Sequence, residues 1–389
     1  MKTTQPDASS TSLDATYALD PGLSLDHFSN TIFKSLRRND QRRWAYAYLR
    51  GLLGTSGKKS VRRLATAISR DPSVVQSLRQ FVSLSRWGFD EVMEELTHWV
   101  TGHRPDPVWS IGRAVLPKRG DRSVGVHRYF DLSSGRTLNC QLALGSFLRV
   151  GNAQLPVDWC LYLSTHWTQE PGRRRDARIP DSEQYRPLWA HTLRLVDRLS
   201  ARTDSASAVV HADMSDEPQV ANLLHGLAGR HRDFVVAIPP QLAVLPAAGA
   251  APVPVSARTL VAALPAEQAA VPLPGGKRRI ALFRSSFVRL PGRSAGTPYR
   301  LFTEVGPARA RGPLWLTSLA HRGLAEVGSI AAPRSGTTDA IGSMEQDFGL
   351  RDFEGRSFPG WHHHMALVSA AYTYRYLHGF TAVPSRSTA

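Results

Sequence analysis

The chain opens polar and then turns helical. Residues 1–24 are polar and poor in aromatics, too little apolar surface to fold alone, so a disordered tail is expected there. From Leu25 apolar residues recur at helical spacing: Phe28, Ile32 and Leu36, then Trp44, Tyr48 and Leu52, stopped by Gly54 and Gly57. Val61, Leu64, Ala65 and Ile68 mark a short helix. Asp71-Pro72-Ser73 caps and restarts the chain, and Val74, Leu78, Phe81 and Val82 carry the next helix. The run FDEVMEELTHWV predicts one more. Two short helices about a tight turn, with Lys and Arg outward, suit a helix-turn-helix-like DNA module and equally a structural helical hairpin. Trp44, Trp87 and Trp99 read as core.

From Val108 the period becomes that of strands. VWSIGRAVLP, RSVGVHRYFDL, RTLNCQLALGSFLRV and LPVDWCLYLS are apolar or alternating, with turns at Lys118-Arg119-Gly120 and Ser134-Gly135. A basic loop, PGRRRDARIPDSEQYRP, precedes a helix from Leu188 to about Ser200. A buried strand ends at Asp213, a helix runs from about Gln219 to Gly229, and DFVVAIP is another strand. Residues 240–275 are rich in Ala, Pro and Val with little period, so an irregular insertion is expected. KRRIALFRSSFVRL, PYRLFTEV and PLWLTSL read as strands. The stretch from Gly323 to Arg356 reads as a loop with a short helix, and MALVSAAYTYRYLHGF as a final amphipathic helix. This order predicts a mixed α/β protein.

Composition adds a partner. The formal net charge is +16 over 389 residues, with basic residues spread along the whole length. Such an excess points to a polyanion, most often nucleic acid. Candidate phosphate contacts are Lys58, Lys59, Arg62 and Arg63; Lys118 and Arg119; Arg173, Arg174 and Arg175; and Lys277 and Arg278. Two cysteines, Cys140 and Cys160, exclude a disulfide framework and a thiolate zinc cluster. No run is long and apolar enough to cross a membrane, and the N-terminus lacks the order of a signal peptide. A cytoplasmic, nucleoid-associated protein is expected. Three adjacent histidines, His362, His363 and His364, raise a metal site as a question. On a helix neighbours point about 100° apart, so the three cannot share one ion, which leaves packing or phosphate contact.

Several segments together resemble one family. They are RRWAYAYLRGLLG, LPKRGDRSVGVHRYFDLSSGRTLNCQLAL, LPVDWCLYLSTHW followed by RRRDARIP, the strand ending in Asp213, and GLRDFEGRSFPGWHHHMALVSAAY. They resemble the DDE transposases of bacterial insertion sequences, the insertion sequence 701 family, in that family's order. The resemblance implies a ribonuclease-H-like core, a helical N-terminal DNA-binding region and a mostly β insertion. It divides the chain into a tail (1–24), a helical domain (25–104), the first part of the core (105–239), the insertion (240–324), the C-terminal core helices (325–380) and a tail (381–389). It also puts the three histidines in the first turn of the last helix.

The resemblance further implies three carboxylates holding two magnesium ions, which activate one oxygen and stabilise the other at phosphorus. Here the family's first Asp falls on Gly112 and its acidic neighbour on Arg113, so a cation is expected where a metal would sit. Asp213 matches the second. Counting without a gap puts the third, a Glu, on Thr338, with Arg334 matching the family's arginine. A lone Asp holds magnesium poorly, so Asp213 reads as a relic or as a strand-end turn cap. The expectation is a DNA-binding protein without strand-transfer activity, possessing no metal and no cofactor, with a role in transcription or transposition control and duplex DNA as partner. A homodimer would suit a family that joins two DNA ends. The alternative is an active, Mg2+-dependent transposase in which Asp106, Asp339 or Glu345 joins Asp213. A decayed copy with no selected role is the third reading.

Overall fold

Ser24 starts the first helix by accepting a hydrogen bond from the His27 amide at 3.2 Å. The computed structural model describes residues 24–131, 135–205, 207–247, 253–272, 277–292, 298–306, 312–332 and 336–378. The two expected tails, apart from Ser24, and Arg334 lie outside the described residues. Helices α1 (Leu25–Ile32), α2 (Asn39–Gly54), α3 (Val61–Ile68), α4 (Ser73–Ser83) and α5 (Phe89–Thr101) follow. Gly54 ends α2, and Ser60 caps α3 by accepting from the Arg63 amide.

The strand period then takes over in β1 (Val108–Pro117), β2 (His127–Asp131), β3 (Arg136–Val150) and β4 (Ala153–Leu161). Next come α6 (Thr165–Gln169), α7 (Pro171–Asp176), α8 (Leu188–Arg202), β5 (Val209–Asp213), α9 (Val220–Gly229) and β6 (Phe234–Ile238). The segment β7 (Ala243–Pro246), β8 (Val255–Ser256), α10 (Ala257–Ala262), β9 (Glu267–Pro272), β10 (Arg278–Arg289), β11 (Tyr299–Glu304) and β12 (Leu314–Thr317) leads to α11 (Leu324–Ala331), α12 (Thr337–Asp347) and α13 (Phe358–His378).

One mixed sheet organises these elements. β1 lies between antiparallel β3 and parallel β5, β5 runs parallel to β6, and β12, β11 and β10 extend the sheet antiparallel beyond it. Every residue of β6 is buried, as expected of a strand covered on both faces. The arrangement is consistent with the ribonuclease-H-like core implied by the resemblance.

α13 joins the helical N-terminus to the sheet. It packs on α2, α4 and α5 as well as on β4, and its residues from Gly360 to Tyr374 are buried. The Trp159 indole of β4 donates to Ser369 Oγ at 2.9 Å. Asp158, buried on β4, is held by Arg198 and Arg202 of α8, both at 2.8–2.9 Å, and the same arginines reach Asp90 of α5. Hydrophobic residues of α1–α5, α13 and much of the sheet form one core, and Val209, Val235, Ala237, Phe283, Phe302 and Trp315 of the sheet form a second with Val327 and Ala331 of α11.

Four expectations change. The basic loop after β4 contains α7, whose first residue, Pro171, needs no amide donor at that position. Residues 240–275 are not irregular where described: β9 pairs with β10, which supplies the backbone partners that a weak period does not reveal. The stretch before the Asp352–Arg356 block carries two helices, α11 and α12, not one. α13 is not amphipathic. It is enclosed on all sides and starts at Phe358, so the three histidines lie in its second turn.

Candidate functional site

The face shared by β1 and β5 carries the site. Their parallel register sets Ser110 beside His211, so Val108, Ser110 and Gly112 share a face with Val209, His211 and Asp213. α11 and α12 lie over this face, and Trp315 of β12, Phe302 of β11 and Phe283 of β10 wall its far end. Between them is a cavity of about 280 Å3 whose lining includes Ser110, His211, Asp213, Trp315, Thr337 and Thr338.

Gly112 sits under the start of α12. A Cβ built there would lie 2.6 Å from Thr337 Cβ, 2.9 Å from Thr337 Oγ1 and 3.1 Å from Ile341 Cδ1. Glycine is therefore required by close approach, and the volume an Asp side chain would need is already filled. Thr337, one residue before the position counted from sequence, faces Gly112. Thr338 is exposed at the cavity rim.

Asp213 ends β5 exposed, and its Oδ1 accepts from the Ser215 amide at 3.0 Å, the local turn of a strand-end aspartate. His211 stacks on Trp315 with ring centroids 5.3 Å apart. Burial pushes its pKa down to about 4, and its Nε2 is buried without a hydrogen-bond partner among the described residues.

The acidic alternatives are occupied or turned away. Arg149 pairs with Asp106. Glu345 stands two turns along α12 from Thr337, 3.4 Å from Arg351, and burial raises its pKa. Asp339 is exposed. Arg113 also departs from expectation, because strand alternation points it to the opposite face. There its Nη2 lies 2.6 Å from Asp216 Oδ2 and its guanidinium 6.0 Å from the Tyr129 ring. Burial works against its charge, but the bond to Asp216 and that carboxylate's charge outweigh burial and raise its pKa. Arg113 nevertheless stays within electrostatic range of Asp213, whose charge also raises its pKa. Among the described residues the donors on this face do not fit a two-magnesium site: Asp213, no ligand at Gly112, and hydroxyls on α12, while Glu304 of the cavity lining pairs with Arg279.

The basic residues divide by use. Lys59 is buried, its amide donates to Asp352 at 2.6 Å and its ammonium to the Thr55 carbonyl. Lys118 donates to the Arg351 and Phe353 carbonyls, both at 2.9 Å, and burial pushes its pKa down to about 8. Arg174 donates to the carbonyls of Thr168, Pro180 and Glu183. Arg173 pairs with Glu170 and Asp121, and Lys58 with Glu354. Arg62, Arg63, Arg119, Arg175, Lys277 and Arg278 are exposed.

The three histidines are packing groups. His362 Nδ1 is 3.0 Å from the Phe358 carbonyl. His363 stacks on Trp87 at 3.8 Å, with its two nitrogens 3.0 and 2.9 Å from the Val82 and Trp87 carbonyls. His364 lies 3.2 Å from the Tyr48 hydroxyl and 3.0 Å from the Gly349 carbonyl. All three are buried, out of reach of a phosphate, and burial pushes each pKa down to about 4. Sequence reasoning missed Thr337 and the Asp158 cluster. An acid in the middle of the apolar run LPVDWCLYL was the available signal for the latter.

A family model described as DDE superfamily endonuclease matches residues 31–272. No curated protein matches the chain. Among the described residues no helix is long and apolar enough to cross a membrane.

Proposed function

Because the chain belongs to the DDE superfamily endonucleases, whose substrate is DNA, we propose that it is a transposase-derived protein that binds duplex DNA without cutting it. The observation that carries this reading is the contact of Thr337 and Ile341 with Gly112, which leaves no room for a carboxylate at the family's first position. Among the described residues Asp213 is the carboxylate on that face not matched by a cation, Glu304 being paired with Arg279, and a single carboxylate does not hold two divalent ions. DNA binding rests on the +16 charge and on the exposed arginines of α3, Arg62 and Arg63. Contacts of this kind are read by phosphate spacing and weaken with salt. A protein with these properties would act by occupying DNA, in control of nearby genes or of transposition.

The test is fluorescence anisotropy of a labelled duplex in chelator across a salt series. The expected result is binding at low salt that falls linearly on a log–log plot. Absence of binding to any duplex at low salt would sink the proposal.

A further inference from the structure

A cavity lies over β1 and β5, beside Asp213. It is deep, about 280 Å3, and mostly apolar. Phe283, Phe302 and Trp315 form aromatic walls, and His211 continues the Trp315 stack. Its polar groups are spread along the strands, with Gln154 level with Val108 and Asp213 level with Gly112 and Trp315. Ser110 is buried, Gln154 Oε1 and His211 Nε2 are buried and unpartnered among the described residues, and the Asp213 carboxylate lies at the rim. The other charged lining groups are already matched, Arg149 by Asp106 and Glu304 by Arg279. Buried polar atoms without partners are costly, and a ligand that donates to them would remove that cost. The size, the aromatic walls and the few polar groups are those of a small-molecule site.

We propose that this cavity binds a small planar aromatic cation, its ring between the aromatic walls and its N–H groups directed to Asp213. The proposal rests on the reading that the site no longer holds metal, since bound ions would occupy the same carboxylate. An amidinium or arylammonium offers charge-assisted donors to Asp213, and its ring replaces water against Trp315 and Phe302. Occupancy would also brace α11 and α12 against the sheet, which gives the protein a means of responding to a metabolite.

Benzamidine is the probe, with benzoate and benzyl alcohol as controls of the same shape and different charge. Ligand-observed NMR titration of the full chain, in chelator, should show one saturable benzamidine site and weaker or no binding of the controls. Asp213→Asn removes an exposed charge and should keep the fold, checked by its thermal melt, while weakening benzamidine about tenfold or more, about 1.4 kcal/mol. Ala331→Trp fills the cavity and should abolish binding. Should that variant unfold, Asp213→Asn decides alone. Absence of saturable binding, equal binding of benzoate, or an unchanged affinity in Asp213→Asn would each overturn the proposal. Metal-dependent DNA cleavage by the wild type would instead overturn the functional reading, so the two failures are distinguishable.

Discussion

Replacing Gly112 with Ala should destabilise the protein through one contact. The new Cβ would lie 2.6 Å from Thr337 Cβ, whereas carbon atoms rest at about 3.5–4.0 Å, so about 1 Å must be recovered. The neighbour is a helix residue next to the α12 cap, with Ala340, Ile341 and Met344 buried behind it, so the strain falls on backbone as well as side chain. Overpacking of this kind costs about 1–3 kcal/mol. Thr337→Gly removes the obstructing atom and costs about 0.3 kcal/mol by itself, since threonine is already a poor helix former and the site is the first residue of α12. Combined, the two changes should recover about 1–2 kcal/mol relative to their sum. Urea unfolding of the four proteins measures this, read from midpoints at constant slope. Additive costs, or a Gly112→Ala protein as stable as wild type, would refute the seating of α12 on β1. Gly112→Asp should be worse than Gly112→Ala, because it adds a carboxylate where no space or partner exists.

Three more outcomes follow from particular groups. Burial lowers the pKa of His362 and His364 to about 4, against about 6.5 unfolded, so the unfolded chain binds more protons between those values. Stability should therefore be full above about pH 6.5 and fall as pH drops toward about 4; urea midpoints no lower at about pH 5 than at about 7.5 would contradict this. Asp158→Ala leaves Arg198 and Arg202 without their buried partner and should cost about 3–5 kcal/mol in thermal melts, with Asp158→Asn costing less. The double change Arg62→Ala, Arg63→Ala should reduce the salt slope of DNA binding by about 2 without moving the melting temperature, and an unchanged slope would remove α3 from the DNA face.

Much of the architecture is legible because period and caps agree with packing. β1, β5 and β6 are continuous apolar runs, and α2 through α5 keep clear spacing between Gly54, Ser60 and Asp71. The elements that escaped are those whose order comes from partners distant in sequence. β9 exists through β10; α13 was read as a helix, and what escaped was its enclosure by helices from the other end of the chain. At the site, the resemblance singled out Gly112, but the sequence could not show that Thr337 fills the space above it, since α12 arrives from more than two hundred residues away. Charge was the least informative signal. Lys59, Lys118 and Arg174 look like phosphate contacts in a line of text, yet each is spent on carbonyl oxygens, and Arg113 turns to the other face because of strand alternation.

The central claim is tested most directly by incubating a labelled duplex with the protein in chelator and in magnesium, then reading retention on a native gel and strand length on a denaturing one. Equal retention in both, weakening with salt, with every strand intact, is the result predicted. Magnesium-dependent shortening of the strand that disappears in Asp213→Asn would contradict it, and would mean that a second acid joins Asp213 when DNA and metal are bound.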